Sequence, residues 1–251
     1  MQDYLEIFDK FDLEKLKEPR LEKDRSSRKI WEMVFDKATL LTLYESMRKK
    51  YFDRMESIVA TGKESHVFYG TRGKSGVAIK LYYVETSKFR NMSKYIKGDS
   101  RFRVGHDKRK LVYTWAQKEF RNLSIIYKKV RCPKPIGVLN NILVMEFIGK
   151  KGIPAPRLKD QDPKSPKKCF KTIIDSIKKM YALNLVHGDL SEYNVLSYKN
   201  EPVIIDISQG VLLSHPLAEE LLQRDVDNIV RYFKRFDIEK NSEEVLKYVK
   251  G

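Results

Sequence analysis

The segment 187–194, HGDLSEYN, places an imidazole, a carboxylate and a carboxamide within eight residues. Short apolar runs flank it on both sides and can anchor a rigid loop. In such a loop Asp189 can accept a proton or orient a nucleophile, and the amide oxygen of Asn194 can ligate a magnesium ion. A turn in which Asp and Asn only cap backbone groups is the alternative interpretation of this segment taken alone.

A second carboxylate, Asp206, stands in the apolar stretch VIIDIS. The stretch NVLSYKNEPVIIDIS predicts a β-hairpin, and Asp206 is expected on its second arm. A buried carboxylate needs a partner, for which a metal ion is the usual choice. Asn194 and Asp206 would together supply the few protein oxygens that Mg²⁺ takes beside phosphate oxygens. An edge strand with Asp206 facing water is the alternative.

A lysine and a glutamate upstream could complete a phosphate-binding group. Lys80 ends the strand-like GVAIK, which matches the V-A-I-K pattern whose lysine contacts the phosphates of ATP. Such a lysine needs an acidic partner, and Glu119 in AQKEFRNL lies on the first long helix predicted after that strand. Solvent-facing charges at both positions remain the alternative.

The segment ATGKESHVF is expected to cover the phosphates. It holds one glycine, Gly62, rather than the three of G-x-G-x-x-G, and a lone glycine between strands is normally only a turn. Thr61, Lys63, Ser65 and nearby backbone N–H groups could still hold phosphate oxygens.

The segment LVMEFIG could hold an adenine ring. Backbone groups of Glu146 and Ile148 could hydrogen-bond the base edge, and Met145 would line the base pocket. A plain core strand is the alternative.

The order of elements predicts an α+β protein with two lobes. We expect a small antiparallel-sheet lobe, a hinge and a mostly helical lobe. The predicted domains are a helical extension over 1–50, a first lobe over 51–149 and a second lobe over 150–251. Within them we expect a helix break at position 39, a three-stranded meander over 55–84, a mobile loop over 85–108, a long helix over 108–130, two strands around Asn140-Asn141 and an exposed linker over 151–168.

Composition bounds the classes of function. The chain has 251 residues, two cysteines and a net charge of +16. Two cysteines form neither a disulfide framework nor a zinc ligand set, and no apolar run reaches membrane-spanning length, so we expect a cytoplasmic protein without a membrane partner. The positive charge points to a polyanionic partner, with RNA or a ribonucleoprotein as the natural candidate, although a lysine-rich proteome is the alternative.

Taken together, ATGKES, KEFRNL, HGDLSEYN and IDISQ resemble the hallmark segments of the RIO family of atypical serine/threonine protein kinases, over nearly the whole chain. The chain looks most like the first branch of that family in its archaeal form. The H-x-D-L-x-x-x-N spacing is also that of the kinase catalytic loop. The resemblance implies a bilobal, truncated kinase fold that uses ATP with Mg²⁺, or Mn²⁺, and acts in maturation of the small ribosomal subunit.

The resemblance also implies roles for individual residues. Asp189 would be the catalytic acid/base, Asn194 and Asp206 would bind metal, and Lys80 would contact phosphates while pairing with Glu119. Asp206 would also be a transient phospho-acceptor, which would make the protein an ATPase as well as an autophosphorylating kinase. No A-P-E follows Asp206, so the usual platform for a peptide substrate is missing.

Two other functions compete with this interpretation. Small-molecule kinases of the aminoglycoside- or choline-phosphorylating type share an H-G-D…N loop followed by I-D, but they would need an acidic pocket for a cationic substrate. A ribosome-binding scaffold that uses nucleotide only as a switch is the other, and the full catalytic set argues against it.

Overall fold

The computed structural model describes residues 36–84, 89–102 and 107–251. The helices predicted within residues 1–35 lie outside the described residues. In chain order the elements are α1 (Lys37–Arg48), β1 (Arg54–Thr61), β2 (Ser65–Arg72), β3 (Ser75–Tyr82), α2 (Phe89–Ile96), α3 (Lys108–Ile126), β4 (Pro135–Leu139), β5 (Ile142–Glu146), β6 (Gly149–Lys150), β7 (Ile153–Pro154), α4 (Pro166–Ala182), β8 (Leu185–Val186), β9 (Val195–Tyr198), β10 (Glu201–Ile204), β11 (Val211–Leu212), α5 (Ala218–Phe233), a 3-10 turn (Lys234–Phe236) and α6 (Ser242–Lys250).

These elements form two compact units. The described residues of the first unit are 36–84, 89–92, 107–120 and 135–154, and those of the second are 93–102, 121–134 and 155–251. Each unit combines separate stretches of chain, whereas the sequence predicts two lobes that are each continuous in sequence and meet at 149/150. The long helix α3 contributes residues to both units.

The first unit is built on a five-stranded antiparallel sheet with the strand order β1-β2-β3-β5-β4. The meander predicted from the Val, Ile, Tyr and Phe pattern forms β1 to β3, and Asn140 has the positive φ of 49° that a tight hairpin turn requires. Burial of aliphatic and aromatic side chains stabilises this unit, because removing apolar surface from water is its main favourable term. The core residues are Leu43, Phe52, Met55, Phe68, Val77, Ile79, Leu81, Ile142 and Val144.

Helix α1 begins earlier than the sequence predicts. The expected break at position 39 is wrong, because Asp36 is the N-cap and its carboxylate accepts the Thr39 N–H at 2.8 Å. The helix is tied to the sheet unit by amides from the β4–β5 turn, since Asn140 Nδ2 donates to Thr42 Oγ1 at 3.0 Å and Asn141 Nδ2 to Thr39 Oγ1 at 3.1 Å.

The loop predicted over 85–108 contains the helix α2, so that prediction is wrong for residues 89–96. The spacing of Phe89, Met92 and Ile96 matches one face of a helix. Met92 and Ile96 are buried to 0% and 1% exposure, so this apolar face is covered in spite of the basic residues around it. Residues 85–88 and 103–106 lie outside the described part of the chain.

The second unit is mostly helical, with α4 and α5 each packed against α6. Apolar residues of α4 and α5 at helical spacing are buried, and the rings of Phe170 and Phe233 meet edge to face at 5.3 Å. Two short antiparallel pairings, β8 with β11 and β9 with β10, frame the segments that could carry chemistry.

The proline-rich stretch from 151 to 168 is more ordered than the predicted linker. Its first residues form the turn and the second strand of the β6–β7 hairpin. Further on, Leu158 is 1% exposed and its N–H donates to the Val195 carbonyl at 2.9 Å. The stretch is therefore hydrogen-bonded to β9 and is not an exposed linker over its whole length. Over the described residues no helix is long and apolar enough to cross a membrane.

Candidate functional site

In the first unit a buried ion pair joins the sheet to α3. Lys80 lies on the central strand β3, between Val67 of β2 and Leu143 of β5. Its Nζ lies 2.9 Å from Glu119 Oε2 and 3.1 Å from Oε1, and the Tyr82 hydroxyl also donates to Oε2. The side chains of Lys80 and Glu119 are 6% and 0% exposed. The two charges that the sequence predicts to pair are therefore held together away from water.

The segment predicted to cover phosphates is the turn between β1 and β2. Gly62 N–H donates to the Ser65 carbonyl at 2.9 Å, and the Gly62 carbonyl accepts from the Tyr83 hydroxyl at 3.1 Å. Thr61, Gly62 and Lys63 are exposed at the turn, whereas Ser65 is buried at 8% exposure. The turn thus presents two polar side chains and its exposed backbone outward, with Ser65 turned inward.

The buried side chain of His66 supports this turn through contacts with Tyr83 and Thr61. The ring of His66 is 5.0 Å from that of Tyr83, and Nδ1 lies 3.1 Å from Thr61 Oγ1. Burial lowers the pKa of His66, so its ring is neutral at physiological pH.

The residues predicted to hold adenine lie at the end of β5 and directly after it. Met145 and Ile148 are buried, Glu146 is half-buried, and Glu146 is paired with Val77 of β3. The intervening Phe147 N–H donates to the Gly76 carbonyl at 3.3 Å. This pairing fixes the chain direction at residues 146–148, and their adenine-binding role stays a prediction.

In the second unit Asp189 lies in the loop after β8, with its carboxylate held from two sides. Gln209 Nε2 donates to Asp189 Oδ2 at 3.1 Å, and Asn194 Nδ2 donates to the Asp189 carbonyl at 2.8 Å and to Oδ2 at 3.3 Å. The Asp189 N–H donates to His187 Nδ1 at 3.3 Å, which leaves Nε2–H to donate to the Ile205 carbonyl at 3.1 Å. The loop therefore fixes the orientation of a half-buried carboxylate.

Helix α5 anchors the backbone of this loop through Asp225, which sequence reasoning missed. Its two carboxylate oxygens accept the Gly188 and Leu190 N–H groups, both at 2.7 Å, and it is 1% exposed. Desolvation raises the pKa of Asp225 to about 7, while the two N–H donors and the neighbouring Arg224 oppose the rise. A signal was present in the sequence, since Asp225 interrupts the apolar face of α5 between Leu222 and Val226.

Two neighbouring groups reinforce the anchor. Arg224 donates to the Gly188 carbonyl, and Asn228 Nδ2 donates to the Leu190 carbonyl at 3.1 Å. Gly188 has φ +80°, and a Cβ there would come within 3.0 Å of the Gln209 carbonyl oxygen. Glycine is required at this position by both its backbone conformation and the close approach.

Asp206 does not lie within the second arm of the hairpin, so that prediction is wrong. Strand β10 ends at Ile204, and Asp206 has a left-handed backbone with φ 57°. Its Oδ1 accepts from the Ser208 hydroxyl at 2.9 Å, and the side chain is half-buried instead of enclosed in a strand. Because Asp206 lies in a turn after the strand, the alternation of side chains along a strand does not predict the direction of its carboxylate.

Asn194 and Asp206 stand together at the open end of the β9–β10 hairpin. Val195 pairs with Ile204, and the Ile205 N–H donates to the Asn194 carbonyl at 3.0 Å. Because Asn194 Nδ2 faces Asp189, its Oδ1 is the amide atom left to a cation. One carboxylate and one amide oxygen fit a magnesium ion that takes its other ligands from phosphate and water. In the described part of the chain no group of three or more His, Cys, Asp or Glu could hold a metal by itself.

The segment after Asp206 is pinned by a second residue that sequence reasoning did not single out. Asn122 of α3 is 0% exposed, and its Nδ2 donates to the carbonyls of Ile207 at 2.9 Å and Gly210 at 2.8 Å. A Cβ on Gly210 would lie 2.9 Å from that same Nδ2, so the close approach requires glycine. The segment then pairs with β8 through β11, where the sequence predicts helix, before α5 begins.

The predicted site residues thus fall into two groups. Lys80, Glu119, the 61–65 turn and residues 145–148 belong to the first unit, and Asp189, Asn194 and Asp206 belong to the second. In the first group the contacts above join Lys80 to Glu119, and in the second they join Asp189 to Asn194 and bring Asn194 beside the turn at Asp206. That both groups act on one nucleotide stays a prediction.

Comparisons with known proteins agree on one family. The model of the RIO domain family matches residues 66–246. The chain is 46% identical over 220 residues to the RIO-type serine/threonine-protein kinase Rio1 of Methanocaldococcus jannaschii, covering 87% of this chain and 76% of the relative. It is 38% identical over 232 residues to the Rio1 of Haloferax volcanii, covering 91% and 80%.

A solved structure shares the fold. The crystal structure of the Rio2 kinase–ADP/Mg²⁺–phosphoaspartate complex from Chaetomium thermophilum matches with a TM-score of 0.64 at 24% identity. The match covers 84% of this chain and 66% of that one, just under two thirds of its length. The predicted α+β kinase-like fold is therefore confirmed, and the family match with archaeal Rio1 relatives confirms the resemblance: this chain belongs to the RIO kinase family.

Proposed function

We propose that this protein is an ATP-dependent serine/threonine protein kinase that uses Mg²⁺ and also hydrolyses ATP. The observation that carries the proposal is the loop around Asp189, whose carboxylate is oriented by Gln209 and Asn194 beside the carboxylate-bearing turn at Asp206. Matched relatives named serine/threonine-protein kinases and the ADP and Mg²⁺ held by the Rio2 complex support it.

Each group of residues has one task in phosphoryl transfer. Lys80, whose side chain is oriented by its ion pair with Glu119, binds phosphate oxygens of ATP. The 61–65 turn covers these phosphates, and residues 145–148 hold the adenine. Asn194 and Asp206 hold Mg²⁺, which when bound neutralises charge on the phosphate oxygens. Catalysis then rests mainly on positioning and charge neutralisation.

Asp189 acts on the acceptor. It takes the proton of a serine or threonine hydroxyl as that oxygen bonds to the γ-phosphorus, the bond to the β–γ bridging oxygen breaks, and ADP leaves. The acceptor hydroxyl belongs to a partner protein or to this chain.

ATP hydrolysis uses a different acceptor. The Asp206 carboxylate attacks the γ-phosphorus, ADP leaves, and water then cleaves the acyl phosphate to release inorganic phosphate and restore the carboxylate. The phosphoaspartate of the Rio2 complex supports this route.

A precursor of the small ribosomal subunit is the proposed partner. The support is the net charge of +16, which suits a particle rich in RNA phosphate. The protein would work in the cytoplasm, where such a particle and ATP are both at hand.

Phosphate release and phosphate transfer to serine-containing proteins test the enzymatic proposal. Asp189→Ala and Asp206→Ala are each expected to lose turnover while keeping the fold, and Asp227→Ala on α5 is the matched control that keeps it. Full activity in both variants would refute the assignment. Transfer only to amines or sugars would show a small-molecule kinase instead.

A further inference from the structure

The first unit carries a strongly cationic surface where the loop that follows α1 meets the β2–β3 turn. The Asp53 carboxylate accepts the Gly73 N–H at 2.6 Å, and the Asp53 N–H donates to the Thr71 carbonyl at 2.7 Å. Arg54 is also the strand partner of Thr71. We name the cations of these two stretches the hairpin patch: Arg48, Lys49, Lys50, Arg54, Arg72 and Lys74.

The charges of the hairpin patch are exposed and outnumber the carboxylates around them. All six side chains belong to exposed residues, Asp53 is the one carboxylate in the stretches 46–55 and 71–75, and Glu45 and Glu56 flank the first of these stretches. That carboxylate is engaged by Gly73 N–H. No ion pair forms at any of the six within the part of the chain that the structure describes. The patch therefore presents an excess of exposed positive charge to a partner.

A second basic row lies on and just before α4 and differs in this respect; its members are Lys164, Lys167, Lys168, Lys171, Lys178 and Lys179. There Lys168 pairs with Glu201 at 2.5 Å, and Lys178 lies 4.0 Å above the ring of Tyr248, whose hydroxyl donates to Asp175. Carboxylates within the row lower its local potential. Lys168 is ion-paired whereas, among the described residues, the six cations of the hairpin patch are not, and this difference favours the hairpin patch as the anion-binding surface.

The backbone fixes where the patch points. Lys50 has φ 59° after the end of α1, with its N–H bonded to the Met47 carbonyl at 2.8 Å and the Tyr51 N–H bonded to the Ser46 carbonyl at 3.1 Å. Glycine is the usual residue in this helix-ending motif, because a side chain is disfavoured at positive φ. A lysine is thus held at a position where its conformation is costly, in a rigid turn that projects the cation outward.

The size of the patch suits a run of phosphates. Chain connectivity alone keeps the Cα atoms of residues 48–50 within about 18 Å of Asp53. A nucleic-acid duplex presents one negative charge per about 1.7 Å of its axis, so cations spread over even part of that span face several phosphates at once. Three of the six cations are arginines, whose planar guanidinium groups bind phosphate in a bidentate manner.

We propose that the hairpin patch docks the phosphate backbone of double-stranded RNA, without reading its sequence. This inference rests on the proposed ribonucleoprotein partner and is independent of the phosphoryl-transfer chemistry. It assigns RNA contact to the first unit, at residues to which no catalytic role has been given.

Two variants of equal charge change test the proposal on the full chain. The patch variant combines Lys49→Gln, Arg54→Gln, Arg72→Gln and Lys74→Gln. The matched control combines Lys164→Gln, Lys167→Gln, Lys171→Gln and Lys179→Gln on and just before α4. Binding of a fluorescein-labelled RNA hairpin, with a stem of about 16 base pairs, is followed by anisotropy over a series of salt concentrations. ATP turnover is measured in parallel.

The patch variant is expected to bind at least about tenfold more weakly than wild type at moderate salt. Its slope of log affinity against log salt should fall by three to four units, since each lost phosphate contact removes about 0.9. The control should change its slope by less than one unit, and both variants should retain ATP turnover.

Equal losses in the two variants would show that only net charge matters and would overturn the proposal. So would a larger loss in the control, or wild-type binding to anionic lipid vesicles but not to RNA. Normal RNA binding without any ATP turnover would contradict the proposed enzymatic function and leave the docking surface standing.

Discussion

Removing one member of the buried Lys80–Glu119 pair should destabilise the protein strongly, whereas replacing both members by apolar residues should destabilise it little. Both charged groups have lost their hydration, and each is compensated only by the opposite charge of its partner. Removing one partner therefore leaves the other as an uncompensated buried charge. The Tyr82 hydroxyl, which donates to Glu119 Oε2, adds a third polar group to the cluster. The pair therefore serves to position Lys80 more than to stabilise the first unit.

Glu119→Ala is expected to lower the free energy of unfolding by about 3 kcal/mol or more, because Lys80 loses its partner. The double variant Lys80→Met/Glu119→Leu should recover most of that loss, since both charges are removed and the volume is kept. Urea unfolding measures both. A double variant no more stable than Glu119→Ala would contradict this account of the pair.

Asp225 makes stability depend on pH in a predictable direction. Burial raises the pKa of its carboxyl to about 7 in the folded protein, against an ordinary value of 3.8. Between those two values the native state binds more protons than the unfolded state, so the contribution of this group to stability falls as pH rises from about 4 to about 7.

Asp225→Asn removes that titration and one acceptor for the Gly188 and Leu190 N–H groups. The variant should be less stable than wild type at pH 5, and the difference should shrink at pH 8 by on the order of 1–3 kcal/mol. Urea unfolding of both proteins at the two pH values gives the comparison. A difference that stays constant, or grows toward pH 8, would exclude a raised pKa.

At the scale of elements, the β9–β10 hairpin sets the spacing of Asn194 and Asp206. Its turn residues Lys199 and Asn200 both have positive φ, 53° and 64°. A turn of this kind prefers Asn-Gly, because neither residue then pays for a disfavoured backbone conformation.

Changing Lys199→Asn together with Asn200→Gly should stabilise the protein by roughly 0.5–1 kcal/mol and leave ATP turnover unchanged. Thermal unfolding followed by circular dichroism measures the stability. The reversed order, Lys199→Gly with Asn200→Lys, is the matched control and should give no gain. A lower melting temperature for the Asn-Gly variant would show that the turn is not the two-residue type described.

The sequence predicts the sheet unit well because its signals are local. Alternating apolar residues and short polar turns define β1 to β5, and a lysine inside a buried strand requires an acidic partner, which the first long helix after the strand can supply. The contact between Lys80 and Glu119, 39 positions apart, could be foreseen for that reason.

What the sequence does not predict depends on tertiary contacts. Asp206 has a left-handed backbone just after β10, although the apolar sequence pattern of that strand continues past its end. The sequence does not reveal α2, because its narrow apolar face lies among many basic residues. Asp225 serves as an anchor only because the backbone N–H groups of a distant loop reach it. Such partners cannot be found from the spacing of residues along one element.

At the scale of the whole molecule, the proposed reaction divides its residues between the two units. The first unit holds the lysine and glutamate pair, and the second holds the carboxylates and the amide. The reaction requires both, because phosphate binding without an oriented base does not transfer phosphate, and a base without bound ATP has nothing to act on.

ATP turnover with Mg²⁺ by wild type, Lys80→Met/Glu119→Leu and Asp189→Asn tests this account most directly. We expect both variants to remain folded and to lose turnover by at least about 10²-fold, the usual effect of removing a proton acceptor or a charged phosphate ligand. Wild-type turnover in either folded variant would contradict the claim that groups from both units act on one ATP.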